Sequence, residues 1–156
     1  MNTINSKSKK LAEPPRMKNT SKTIPKHMLS QDPFSTWLGI EILEVSLGKC
    51  KVGLTIRPEM LNSMKKAHGG ITYALADTAF GFAANTHGKY AVSIETSINH
   101  IEALGEGDYI TAESSVEVTK NKLGFHVVEV KKGDQLVALF KGVVYRTSKE
   151  WNLNDD

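Results

Sequence analysis

The residues with the strongest chemical signal lie in one stretch between Asn62 and Asp77. His68 is followed by Gly69 and Gly70, which open an apolar run. Two glycines at the mouth of a helix leave backbone N–H groups uncovered at its positive end, where an oxyanion or a polarised carbonyl oxygen can be held. The same pair would equally let the chain enter a crowded core helix, and local physics does not choose between the two. Asp77 sits between Ala76 and Ala79, among residues that otherwise read as core. A carboxylate on an apolar helix face is costly unless paired, so it is either hydrogen-bonded for structure or kept for reaction. Burial would raise its pKa toward that of a general base. Gly69 and Asp77 are eight residues apart, hence about 12 Å along a helix. One reacting carbonyl cannot touch both comfortably. The simplest shared site is a two-fold dimer in which the glycine end of one helix faces the aspartate of the other.

Elements that would position these groups follow from periodicity. From Gly69 to Asn85, Ile71, Leu75, Ala79, Phe80, Phe82 and Ala83 recur at helical spacing, and His87-Gly88 supplies a stop. Upstream, Ile40, Ile42 and Val45, then Cys50, Val52, Leu54 and Ile56, alternate as two strands turning near Gly48-Lys49. Pro33, Phe34 and Trp37 suggest a short apolar turn or helix covering one end of the core. Downstream come four strand-like runs, 92–101, 109–118, 125–131 and 136–145, with short links that predict antiparallel neighbours. The order is two strands, one apolar helix, then four strands, an α+β fold. A helix apolar most of the way round must be buried on several sides, so the sheet should curl around it.

The chain has 156 residues, ordinary globular composition and one cysteine, which excludes an internal disulfide. Its formal charge of +3 is unevenly placed. Residues 1–29 hold seven cations and the single acid Glu13, a balance of +6, so the remainder, with 13 cations and 16 acids, is −3. The first segment therefore reads as a flexible basic tail, residues 30–150 as the domain, and 151–156 as a C-terminal tail. No apolar run fits a secretory signal or a bilayer span, so the expected location is the cytoplasm, without membrane or nucleic-acid partners. His100 and His126 lack metal-ligand spacing, and no metal is expected. Cys50 alternates with Val52 and Leu54 and reads as a buried small hydrophobe. Phe34, Trp37, Tyr73 and Phe82 read either as core or as the lining of an acyl pocket. Lys120 and Lys122, with Lys65 or Lys66, read either as solvated turn residues or as handles for a polyanion.

The string Asn62 to His68-Gly69-Gly70, continued by Leu75-Ala76-Asp77-Thr78-Ala79-Phe80, resembles the signature of hotdog-fold thioesterases, in particular the PaaI-like (phenylacetic acid degradation) acyl-CoA thioesterases. The similarity extends through Ala91-Val92-Ser93-Ile94, Gly107-Asp108 and Val137-Ala138-Leu139-Phe140 and covers roughly Phe34 to Arg146. The resemblance implies a long helix wrapped by a curved antiparallel sheet, paired into homodimers and commonly dimers of dimers. It also implies hydrolysis of acyl-CoA without metal or other cofactor, coenzyme A being part of the substrate. By resemblance Asp77 is the catalytic base or nucleophile, and the Gly69 amide polarises the thioester carbonyl. His68 and Asn62 orient that loop or the thioester, and Ser93 helps hold the attacking water. Thr78 is a second candidate for that hydroxyl, and Gly70, Thr78, Lys120 and Lys122 are the candidate substrate contacts, the two lysines as the cationic handles weighed above. Two positions depart from the pattern: Lys65 stands where a glycine is common, and Glu102-Ala103 replaces an Arg-Pro pair. Alternative readings are a non-catalytic acyl-CoA-binding protein and an acyl-thioester dehydratase or hydratase. The histidine–carboxylate motifs of the last do not appear.

Overall fold

The structure, a computed structural model, describes residues 17–153. Its frame is one six-stranded sheet in the order β1-β2-β4-β5-β6-β3, antiparallel throughout. The strands are β1 (Glu41–Ser46), β2 (Lys49–Thr55), β3 (Lys89–His100), β4 (Tyr109–Lys120), β5 (Leu123–Lys132) and β6 (Gln135–Glu150). Alternation turns Cys50, Val52 and Leu54 of β2, Ile110 and Ala112 of β4, Val128 and Val130 of β5, and Ala138, Phe140 and Val144 of β6 into the core. The long helix α3 (Gly69–Asn85) packs against β2, β3, β4, β5 and β6, so the sheet wraps it as its apolar circumference requires.

Close approach of helix and sheet depends on one glycine. A Cβ at Gly142 would lie 2.6 Å from the ring of Phe80, which is buried between Phe140 and His126. The C-terminal end of α3 is tied down by the buried Asn85. Its Nδ2 donates to the carbonyls of Gly81 and Ala91, and its Oδ1 accepts from the Ala91 amide and the Trp151 indole. With these partners the burial of a primary amide costs little.

Four expectations need correction. Residues 17–29 are not part of a flexible tail: α1 (Met17–Ser30) is a helix that packs on α3 and β1, with Ile24 buried. Burial of Ile24 and Pro25 outweighs the poor helical signal of a basic segment with an internal proline. The rest of that predicted tail, residues 1–16, lies outside the described residues. At the other end Trp151 stacks on Tyr90 at 4.1 Å, so the domain continues past residue 150. Residues 154–156 lie outside the description. Next, β3 and β4 do not pair despite their short link: β3 lies at the sheet edge beside β6, and β4 inserts between β2 and β5. Finally, Phe34 and Trp37 on α2 (Pro33–Leu38) are each 55% exposed, whereas Ser35 and Leu38 of the same helix are buried.

Candidate active site

The loop before α3 is organised by Asn62 and His68. Asn62 Oδ1 accepts from the amides of Met64 (2.9 Å) and Lys66 (3.2 Å), and its own amide donates to the Lys66 carbonyl. Lys65, where a glycine is common, takes the left-handed conformation itself, at φ 56°. His68 is the N-cap: its Nδ1 accepts from the Gly70 amide at 2.9 Å, and its carbonyl accepts from Ile71. Gly70 is therefore not an open donor. Among the described residues nothing accepts the N–H of Gly69, which is left at the positive end of the helix. Gly69 lines a cleft of about 300 Å³ with Asn62, Thr72 and His100, whose Nε2 would stand 3.1 Å from a Cβ at Gly69.

Asp77 lies on another face. Gly70, Tyr73, Ala74, Asp77, Thr78 and Gly81, spaced at helical intervals, line a second cavity of about 470 Å³. Its opposite wall comes from Met28, Asp32, Phe34 and Ser35, brought in by α1 and α2. Asp32 caps α2 through the amides of Phe34 and Ser35 and accepts from Ser35 Oγ at 2.6 Å; that hydroxyl lies 3.4 Å from Thr78 Oγ1. Asp77 itself has no hydrogen-bond or ion-pair partner among the described residues, and desolvation by partial burial raises its pKa above the ordinary carboxylate value. An unpaired, half-buried carboxylate removes the structural explanation for its presence and leaves a group suited to accept a proton. Gly69 and Asp77 thus face different cavities of the same chain.

The family model of the thioesterase superfamily matches residues 64–139, which include both Gly69 and Asp77. The acyl-coenzyme A thioesterase PaaI of Escherichia coli is 34% identical over 120 residues, covering 76% of this chain and 86% of the relative. The chain belongs to the thioesterase superfamily. It falls in the PaaI-like group: the solved E. coli PaaI protein from the phenylacetic acid degradation operon superposes with a TM-score of 0.83 at 29% identity, covering 86% of this chain and 99% of that one. A mutant of the phenylacetic acid degradation protein PaaI from Thermus thermophilus superposes at 0.72 with 36% identity, covering 74% of this chain and 100% of the other. The helix in its curled sheet is accordingly the hotdog fold.

This thioesterase brings some of the sequence-predicted residues together and separates others. Asn62 and Gly69 share the first cleft; Gly70, Asp77 and Thr78 share the second cavity. Ser93 lies on β3 next to a register shift, exposed, and lines neither. Lys122 borders a third cavity beyond the C-terminal end of α3, and Lys120, at the end of β4, lines none of the three. Of the aromatics weighed for an acyl pocket, Phe34, Tyr73 and Phe82 line the Asp77 cavity and Trp37 does not. Met28, Asp32, Ser35 and His100 were not anticipated in the site. Asp32-Pro33 is a legible helix start, but that its cap faces Asp77 depends on how α2 folds back on α3. No group of three or more metal-ligating side chains occurs among the described residues, and no helix among them is long and apolar enough to cross a membrane.

Proposed function

We propose that this thioester hydrolase cleaves acyl-CoA to free acid and coenzyme A, with Asp77 and the Gly69 amide as its reacting groups. The observation that carries the reading is the unpaired Asp77 carboxylate, with its raised pKa, in the cavity of about 470 Å³. Asp77 takes a proton from water as the water attacks the thioester carbon, a contribution of about 10²–10⁴-fold. The free Gly69 amide, reinforced by the helix dipole, holds the developing oxyanion, worth about 2.7–4 kcal/mol for one donor. The thiolate then departs, a good leaving group that needs no metal or cofactor. Attack by Asp77 itself through an acyl-enzyme anhydride is the variant of this scheme, and solvent ¹⁸O tracing in a single turnover separates the two.

Because Gly69 and Asp77 face different cavities, the active unit is a two-fold homodimer in which the glycine end of one α3 meets the Asp77 face of the other. Ser93 joins the site in that assembly, and pairs of dimers form the tetramer. Thr78 and Gly70 contact the acyl portion, and Lys120 and Lys122 the coenzyme. An aromatic acyl group is favoured by the kinship with phenylacetic acid degradation proteins and by Phe34, Tyr73 and Phe82 in the cavity wall. The cytoplasm is the site of action. A panel of aryl- and fatty-acyl-CoAs with a thiol reagent tests the reading: release of thiol from at least one is expected, and none from any overturns it.

A further inference from the structure

The loop before α3 offers an oxyanion a single backbone donor. On either side of the free Gly69 amide, the N–H groups of Ala67, His68 and Ile71 donate to the carbonyls of Leu104, Met60 and His68, and that of Gly70 to His68 Nδ1. Oxyanion sites of acyl transfer characteristically pair two donors on one oxygen. A second donor beside Gly69 has to come from a side chain.

His100 stands in that place. It ends β3 on the same face as Ile98, which packs against the core two residues earlier, and it lines the cleft of about 300 Å³ with Gly69. Chain neighbours aside, the three atoms nearest to a Cβ at Gly69 all belong to the His100 ring, with Nε2 first at 3.1 Å. Asn62, Lys66 and Thr72 line the same cleft but supply none of the three. A Cβ is about 2.5 Å from its own backbone nitrogen. The Gly69 nitrogen and His100 Nε2 are therefore at most about 5.6 Å apart. Two donors that share one oxygen at about 2.9 Å each can be separated by up to about 5.8 Å, so the pair falls within reach of a single oxygen.

The His100 side chain is uncommitted. It makes no hydrogen bond or ion pair with any described residue, Glu102 in the same cleft included. Neutral imidazole donates from one ring nitrogen and imidazolium from both. With neither nitrogen held by the protein, the proton is free to reside on Nε2.

We infer that His100 is a catalytic residue, its Nε2–H a second oxyanion donor beside the Gly69 amide. The inference rests on the reading of Gly69 as the site of the thioester carbonyl. As water adds to the carbonyl carbon, the π pair moves onto the oxygen and both hydrogen bonds strengthen; as the C–S bond breaks, the pair returns. The proton stays on His100 throughout. Both donors belong to one chain, so the pair is complete whichever copy supplies Asp77.

Steady-state thiol release from the best acyl-CoA, with melting on the same samples, is compared for wild type, His100→Leu and His100→Gln. His100 is exposed, so the leucine variant is expected to melt within about 2 °C of the wild type. Its kcat should fall at least tenfold and by up to about 10³-fold, with KM changed less than about threefold, because the bond is realised in the transition state. Glutamine sets an amide N–H near the Nε2 position and should hold kcat within about fivefold of the wild type. Wild-type kcat in His100→Leu, a loss confined to KM, or a glutamine variant as slow as the leucine one overturns the inference and leaves the thioesterase reading standing. No thiol release by the wild type from any acyl-CoA overturns both. Should the leucine variant fold poorly, His100→Glu replaces it, since glutamate has the shape of glutamine but only accepts at pH 7. Its kcat should lie at least tenfold below that of His100→Gln, and equal values overturn the inference.

Discussion

Replacing His68 by alanine separates a positioning histidine from a chemical one. Its Nδ1 holds the Gly70 amide at 2.9 Å, capping α3 and leaving the Gly69 amide as the free donor. Loss of an N-cap acceptor costs about 0.5–2 kcal/mol. Gly70 is exposed, so water takes over part of the bond and the cost falls at the low end, about 0.5–1 kcal/mol. For a domain of this size that lowers Tm by about 1–4 °C. The first turn then loosens and the Gly69 amide loses its aim, so thiol release falls, by no more than the roughly 10²–10³-fold that a whole oxyanion donor supplies. Asparagine is a strong N-cap, so His68→Asn is expected to recover both melting temperature and most of the turnover. Differential scanning calorimetry and acyl-CoA hydrolysis on the three proteins decide the matter. Identical melting of wild type and His68→Ala refutes the capping argument. Recovery of melting without recovery of turnover in His68→Asn refutes the positioning role and makes His68 a participant in the chemistry.

Other consequences follow from the same structure. Lys65→Gly relieves a left-handed residue worth about 1–2 kcal/mol while adding unfolded-chain entropy worth about 0.4–1 kcal/mol, so thermal melting should rise by a few degrees or less and not fall. Cys50 is buried, which pushes its thiol up to about 12, so a thiol reagent should titrate the single cysteine only after denaturation and add no background to the hydrolysis assay. His126, buried beside Ser114, has its pKa brought down from the ordinary 6.5 to about 4 by burial, His87 and Arg146. The unfolded chain therefore takes up this proton first, and up to about 3 kcal/mol of stability present above pH 6.5 is lost as pH falls toward 4. Denaturant titrations across that window should show a shallower fall in His126→Gln, and an unchanged slope contradicts the assignment.

The helix over Gly69–Asn85 was legible because its apolar spacing, entry glycines and the His87-Gly88 stop all point the same way. Alternation likewise disclosed each strand, but not the sheet order. Chain proximity suggests that β3 pairs with β4, whereas β3 pairs with β6 and β4 fills the place beside β2. The first helix was hidden because Pro25 and the surrounding lysines argue against helix locally, while the burial that holds it depends on α3 and β1. At the site, Asp77, His68 and Gly69 carry their signals in local sequence. Asp32 and Ser35 do not, since their place opposite Thr78 exists only after α2 folds back. The separation of Gly69 from Asp77 was readable as helix length, and the two cavities give that distance its structural form.

The central claim is that Asp77 is kept for reaction and contributes nothing to holding the fold. Thiol release from the best acyl-CoA should be compared for wild type and Asp77→Asn, with melting measured on the same samples at pH 7. A carboxylate whose folded pKa is raised is less stable ionised in the fold than in the unfolded chain, so the amide should melt at the wild-type temperature or above it. Its turnover should fall by about 10²-fold or more. Full activity in Asp77→Asn, or a loss of activity explained by a collapse in melting temperature, would contradict the account.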